Sequence, residues 1–179
     1  MRALAVRAEI GLGPYDVLDP RLLAAEYGIP ILTVGELTTC PPETRAYVME
    51  AASGVFSAAL VPVGTGLFIL ENDAHAEPRR RASLGHEMAH VLWEHRFTEV
   101  LVNADGCRAA DPDMEEEAER LGHELLLTTD AAFASARRGL TDEDVAVLYG
   151  VSVQYARMRM NRTGARKVAH RAATRRAAG

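Results

Sequence analysis

Residues 86–90 read His-Glu-Met-Ala-His, and a HExxH run inside a helical stretch constrains this chain more than any other feature. At 3.6 residues per turn, positions i and i+4 share a helix face, so His86 and His90 can offer two imidazole nitrogens to one tetrahedral zinc ion. Glu87 stands one residue out of line with that pair, which suits a base that handles water rather than a ligand of the metal. Three fixed residue types in five positions also arise by chance, with both histidines on an ordinary helix face. The surrounding sequence therefore has to supply the rest of a site.

The chain has 179 residues and is 48% hydrophobic, enough to bury a core within one domain, placed here at 1–163 and followed by a basic, disordered tail at 164–179. No apolar run approaches the ~20 residues of a membrane span, and residues 1–9 hold no signal-peptide core, so a soluble, cytoplasmic protein is expected. Cys40 and Cys107 are the two cysteines. They form no CxxC, which excludes a Cys-rich zinc site and argues against a disulfide framework. The net charge of −5 hides an uneven distribution: residues 141–179 hold eight basic side chains against Asp142, Glu143 and Asp144, a net +5, leaving −10 on residues 1–140. An acidic body argues against tight nucleic-acid binding, although the basic end could touch phosphate.

Asp19-Pro20 and Gly28 bracket a helix over about 20–27. Pro41-Pro42 opens a second helix that ends near Gly54. Two β-prone runs, 55–63 and 67–70, flank Gly64-Thr65-Gly66 and predict a hairpin, with Pro62 marking the first as an edge strand. Arg79, Arg80 and Arg81 lead into Ser83, the expected N-cap of a motif helix over about 84–95. Asp111-Pro112 starts a further helix whose Met114, Ala118, Leu121 and Leu125 form a buried stripe, and its early acids suit the helix dipole. Two more helices follow Asp130 and Thr141, the latter through a T-x-x-D capping box, and Gly150 ends it. Ser152 caps a last helix over about 153–161. The 141–163 pair is read as packed on the domain or as a helix-turn-helix.

A catalytic zinc usually takes three protein ligands, so one is still to be found. Glu94, His95, the glutamates at 115–119 and His123 all lie downstream. On a continuing helix His95 is rotated about 140° from His90, which favours a ligand from the second helix. Glu115 with Glu119 meets two needs there: a third ligand, and an acid one turn later that accepts the second N–H of a zinc-bound histidine. Glu116 and Glu117 are better placed to face solvent, although a one-position error in phase would exchange the inward and outward positions. His123 falls near the Glu115 face and could donate to a developing oxyanion, as could Tyr149 or His75.

These residues resemble the ImmA/IrrE family of metallo-endopeptidases. The likeness lies in Ile69-Leu70-Glu71-Asn72-Asp73, in Arg79 and Arg81, in 84–92 (Leu-Gly-His-Glu-Met-Ala-His-Val-Leu), in Glu115-x-x-Ala118-Glu119-x-Leu121-Gly122-x-x-Leu125-Leu126, and in Tyr149-Gly150-Val151-Ser152. It runs from about 17 to 163. Glu119 stands where the family has asparagine, Leu121 and Ala82 where it has phenylalanine, Gly122 where it has alanine and Thr128 where it has proline.

The resemblance implies an α+β, mostly helical zincin-like domain with a small antiparallel sheet, in which Zn2+ is held by His86, His90 and Glu115 and Glu87 is the general base. It also implies Asn72 at the rim of a substrate cleft, and a protein substrate: a helix-turn-helix repressor cut in a mobile-element or stress-response switch. The alternative is a DNA-binding or interaction-only regulator that keeps an inactive peptidase fold, with Arg157, Arg159 and Arg162 meeting phosphates.

Overall fold

The computed structural model describes residues 2–50, 52, 54, 56–95 and 111–177. In chain order the elements are α1 (Arg2–Glu9), α2 (Pro20–Glu26), β1 (Ile31–Thr33), a 3-10 turn (Val34–Glu36), α3 (Pro42–Met49), β2 (Ala58–Val63), β3 (Gly66–Glu71), α4 (Glu77–Leu92), α5 (Pro112–Leu126), α6 (Thr129–Arg137), α7 (Asp142–Tyr149), α8 (Val153–Arg162) and α9 (Ala165–Ala177). Helices with one small sheet make the fold α+β. No helix among the described residues is long and apolar enough to cross a membrane. Cys107 and Val55 lie outside the described residues, and Cys40 is a free thiol. The chain groups into two compact units, residues 20–122, and residues 1–19 with 123–179.

In the unit over 20–122 the sheet order is β1-β3-β2. The expected hairpin closes over Gly64-Thr65, with Val63 opposite Gly66. Pro62 is exposed on edge strand β2, where a missing N–H breaks no ladder. β1 is an addition to the sequence reading. It pairs parallel with β3, Ile31 opposite Ile69, so the sheet is mixed rather than purely antiparallel. Three residues carry too little periodicity to announce a strand, and a parallel partner distant in sequence leaves no turn signal.

α3 stops at Met49, short of Gly54. α4 packs against α2, β2 and β3. It begins at Glu77, a turn and more before Ser83, because Pro78 in the first turn pre-sets the backbone. Arg79, Arg80 and Arg81 are thus inside the helix, where positive charge opposes the dipole. Arg80 is answered by the buried Glu71, 2.7 Å away, which Arg21 also meets at 3.2 Å. Leu23, Leu60, Ile69, Leu84, Met88 and Ala118 are buried in the core.

In the other unit α1, unmarked by any cap in the sequence, carries a buried Arg7 whose Nε donates to Gly13 O at 3.1 Å. α6 is capped by Thr128, whose hydroxyl accepts from Ala131 N–H at 2.9 Å, and Asp130 lies within its first turn. The α7 capping box forms as expected between Thr141 and Asp144, and Gly150 ends the helix at φ 64. Residues 165–177, read as a disordered tail, form α9 instead. Arg159, which the alternative DNA-binding reading would set against phosphate, is 4% exposed and donates to Leu127 O at 3.0 and 2.7 Å, while Arg157 pairs with Asp142 at 3.0 Å.

Candidate metal centre

His86 and His90 sit one turn apart on α4, their Nε2 atoms 3.1 Å apart. α5 delivers Glu115, with Oε2 3.2 Å from His86 Nε2 and Oε1 3.5 Å from His90 Nε2. Among the described residues these form the one group of three placed to hold a metal ion. Bonds of about 2.0–2.1 Å at tetrahedral angles put neighbouring ligand atoms about 3.3–3.4 Å apart. The 3.1 Å between the two nitrogens, and 3.2 and 3.5 Å from them to the two oxygens of Glu115, lie close to that spacing. Two imidazole lone pairs and a carboxylate that converge so closely repel one another unless a cation or protons lie between them. The donor set therefore fits a divalent metal with a fourth position open.

The close approach has a backbone cause. A Cβ on Gly122 would lie 3.1 Å from Gly85 O and 3.2 Å from His86 Cα. With only hydrogen there, α5 presses its backbone onto α4 beside the first histidine. Glu115 lies seven residues earlier, two turns along the same face, and so reaches the pair.

Glu87 is 9% exposed. Its Oε2 accepts from Leu60 N–H of edge strand β2 at 3.1 Å. One contact thus fixes the carboxylate beside both the histidine pair and the strand edge.

Sequence reasoning set His95 aside because a continuing helix would turn it away from His90. The helix does not continue. Glu94 takes a left-handed φ of 55, with Glu94 N–H on Val91 O at 2.9 Å and His95 N–H on His90 O at 3.1 Å. That is a Schellman end built without glycine, and it returns His95 to His90, Nδ1 to Nδ1 at 2.8 Å. His95 Nε2 then meets Glu117 Oε2 at 3.3 Å. Trp93 Nε1 donates to Glu117 O at 3.3 Å, which ties the end of α4 to α5 there.

Glu117, read as solvent-facing, is therefore in this chain of contacts. The part foreseen for Glu119 falls, for His90, to His95, and Glu119 lies on the exposed side of α5. The drop in apolar periodicity after Leu92 was the one signal that the helix ends there.

Asn72 is corrected as well. It is fully buried, and its amide donates to Val48 O at 3.3 Å and Phe56 O at 3.1 Å and accepts from Ala74 N–H at 3.1 Å. A side chain so committed organises the turn after β3 instead of lining a cleft rim. His75 follows in that turn, its N–H on Asn72 O at 3.4 Å. His123 and Tyr149 belong to the other unit. There the His123 ring meets Tyr155 edge-on at 5.3 Å, and Tyr149 is buried in α7.

No curated protein and no solved structure matches this sequence. A family model, that of the IrrE N-terminal-like domain, matches residues 43–161. The matched stretch opens in α3, takes in both helices of the metal cluster and ends in α8. With well over half of its length so matched, the chain belongs to the Peptidase_M78 family of IrrE N-terminal-like domains.

Proposed function

We propose that the chain is a zinc-dependent metallo-endopeptidase that works in the cytoplasm on a protein substrate. The observation that carries this reading is the convergence of His86, His90 and Glu115 with Glu87 held next to them. When bound, zinc supplies a Lewis acid that polarises a peptide carbonyl and lowers the pKa of water toward ~7. His86 and His90 bind through Nε2 and Glu115 through its carboxylate. Glu87, with Oε2 held by Leu60 N–H, takes a proton at Oε1 from the attacking water and returns it to the leaving amine nitrogen. The new C–O bond forms first, and the C–N bond breaks once its nitrogen receives the proton from Glu87, so protons and electrons balance without another reactant. Edge strand β2 runs beside Glu87, and because Leu60 N–H is given to Glu87 and Pro62 has none, an extended substrate backbone would meet its carbonyls there.

The substrate proposed is a helix-turn-helix repressor, on the strength of the resemblance to the ImmA/IrrE peptidases. Zinc-loaded protein is incubated with the repressor encoded beside its gene, and the products are mapped by mass spectrometry. One defined cut, absent in Glu87→Gln although that variant retains zinc, is the expected result. Undiminished cutting by Glu87→Gln would remove Glu87 as the base. No cut by either protein would remove the repressor as substrate.

A further inference from the structure

We propose that His95 and Glu117 form a hydrogen-bonded relay that fixes the tautomer and orientation of His90, which makes both of them positioning residues of the metal centre. The inference rests on the metal reading above and adds residues to it. If Nε2 of His90 faces the metal, its proton must sit on Nδ1, and that N–H points at His95 Nδ1, 2.8 Å away. His95 Nδ1 then has to accept, which puts the His95 proton on Nε2. That N–H meets Glu117 Oε2 at 3.3 Å. Every donor along the line finds an acceptor, with two neutral imidazoles and one carboxylate, and no other proton arrangement keeps a lone pair on His90 Nε2 with both contacts made.

The line also places charge usefully. Metal-bound histidines ordinarily donate their second N–H to a carboxylate or carbonyl, which raises the basicity of the ligand. Here a neutral ring is interposed. Glu117 polarises His90 through His95 without bringing a second carboxylate against Glu115 at the metal. Both intermediate groups are shielded from water, His95 at 7% and His90 at 4% side-chain exposure, whereas Glu117 at 44% keeps its charge solvated. The left-handed Glu94 and the Trp93 contact to the Glu117 backbone hold the two ends in register.

The test measures zinc affinity by competition with a chromophoric chelator, together with the visible absorption of the cobalt-substituted protein. The wild-type chain is compared with His95→Phe, His95→Asn, Glu117→Ala and, as a control on the exposed neighbour, Glu116→Gln. Loss of the relay is expected to weaken zinc about 10–100-fold in His95→Phe and to shift the cobalt bands. Glu117→Ala loses affinity in the same direction, by less, and Glu116→Gln matches wild type.

Asparagine at 95 still offers an oxygen near the Nδ1 position, so His95→Asn recovers much of the loss. A role in packing alone predicts the reverse order, since phenylalanine fills the space and asparagine does not. If His95→Phe fails to fold, the half-exposed Glu117 gives the same reading in a variant that spares the core. Affinity at the wild-type level in Glu117→Ala, or His95→Asn no better than His95→Phe, would overturn the relay alone. A wild-type chain that takes up no metal would overturn the metal centre and the relay with it.

Discussion

At the scale of single residues, the same side-chain type takes different work according to what reaches it. Glu87, Glu115 and Glu117 are all carboxylates on two facing helices. One is held by a backbone N–H, one faces two imidazole nitrogens, and one meets the outer face of a third histidine. The spacing of the first two is legible in the sequence, because HExxH and an acid-rich helix with an apolar stripe leave few phases in which the ligands can meet. Asn72 was not legible, since a strand-ending asparagine reads alike whether its amide faces solvent or backbone. Its burial makes a distinct prediction. Asn72→Ala strands the carbonyls of Val48 and Phe56 without their donor, at a cost of about 1–3 kcal/mol. Urea unfolding should show that loss while zinc stoichiometry stays that of wild type. Unchanged stability with weakened substrate binding would instead return Asn72 to the cleft.

At the scale of elements, caps were the most readable feature: the boxes and hydroxyl caps at Thr141 and Ser152 and the stop at Gly150 all form. Elements without caps escaped. β1 is too short to show a period, and α9 is built of alanine and arginine, which favour a helix yet resemble a solvated tail in composition. The end of α4 escaped because glutamate stands in a position where glycine is the usual signal. That position yields a graded test. A non-glycine residue in the left-handed region costs about 1–2 kcal/mol, so Glu94→Gly should raise the thermal midpoint and leave zinc affinity as it was. Glu94→Val, with a branched Cβ that resists φ 55, should displace His95 and weaken zinc as His95→Phe does. Equal zinc affinity in Glu94→Val would separate the Schellman turn from the metal site. The Gly122 crossing gives the matching prediction on α5. The atoms a new Cβ would meet are backbone, unable to swing aside, so Gly122→Val should part the helices, cost about 1–3 kcal/mol and loosen zinc. Calorimetry with and without zinc checks both losses.

At the scale of the whole molecule, the acidic body and basic end seen in the sequence are reorganised into local pairs. In the unit of residues 1–19 and 123–179, Asp142 pairs with Arg157 and Arg166, and Glu124 with Arg159. Burial alone would raise the pKa of Glu124, but hydrogen bonds from Thr129 and Arg159 outweigh it and hold the pKa below the ordinary glutamate value. Burial likewise works against Asp142 and is outweighed by its two arginines, so that pKa is lowered as well. The sign follows from linkage: a group with a depressed folded pKa binds protons more readily when the chain is unfolded, so falling pH favours unfolding. Its stabilising contribution is complete above the unfolded values, about 4.3 for Glu and 3.9 for Asp, and is lost as pH falls through the lower folded values. In chelator-treated protein, which leaves no bound metal to titrate, these two carboxylates should make the thermal midpoint fall once pH drops below about 5. Glu124→Gln tests one of these contributors. It should lower the midpoint at pH 7, because Arg159, 4% exposed, then keeps a buried charge without its carboxylate. It should also flatten the acid limb, because one of the groups that titrates there is gone. Circular-dichroism melts of both proteins between pH 3 and 8 decide the matter, and an acid limb that runs parallel in the two would place the pH dependence on groups other than Glu124.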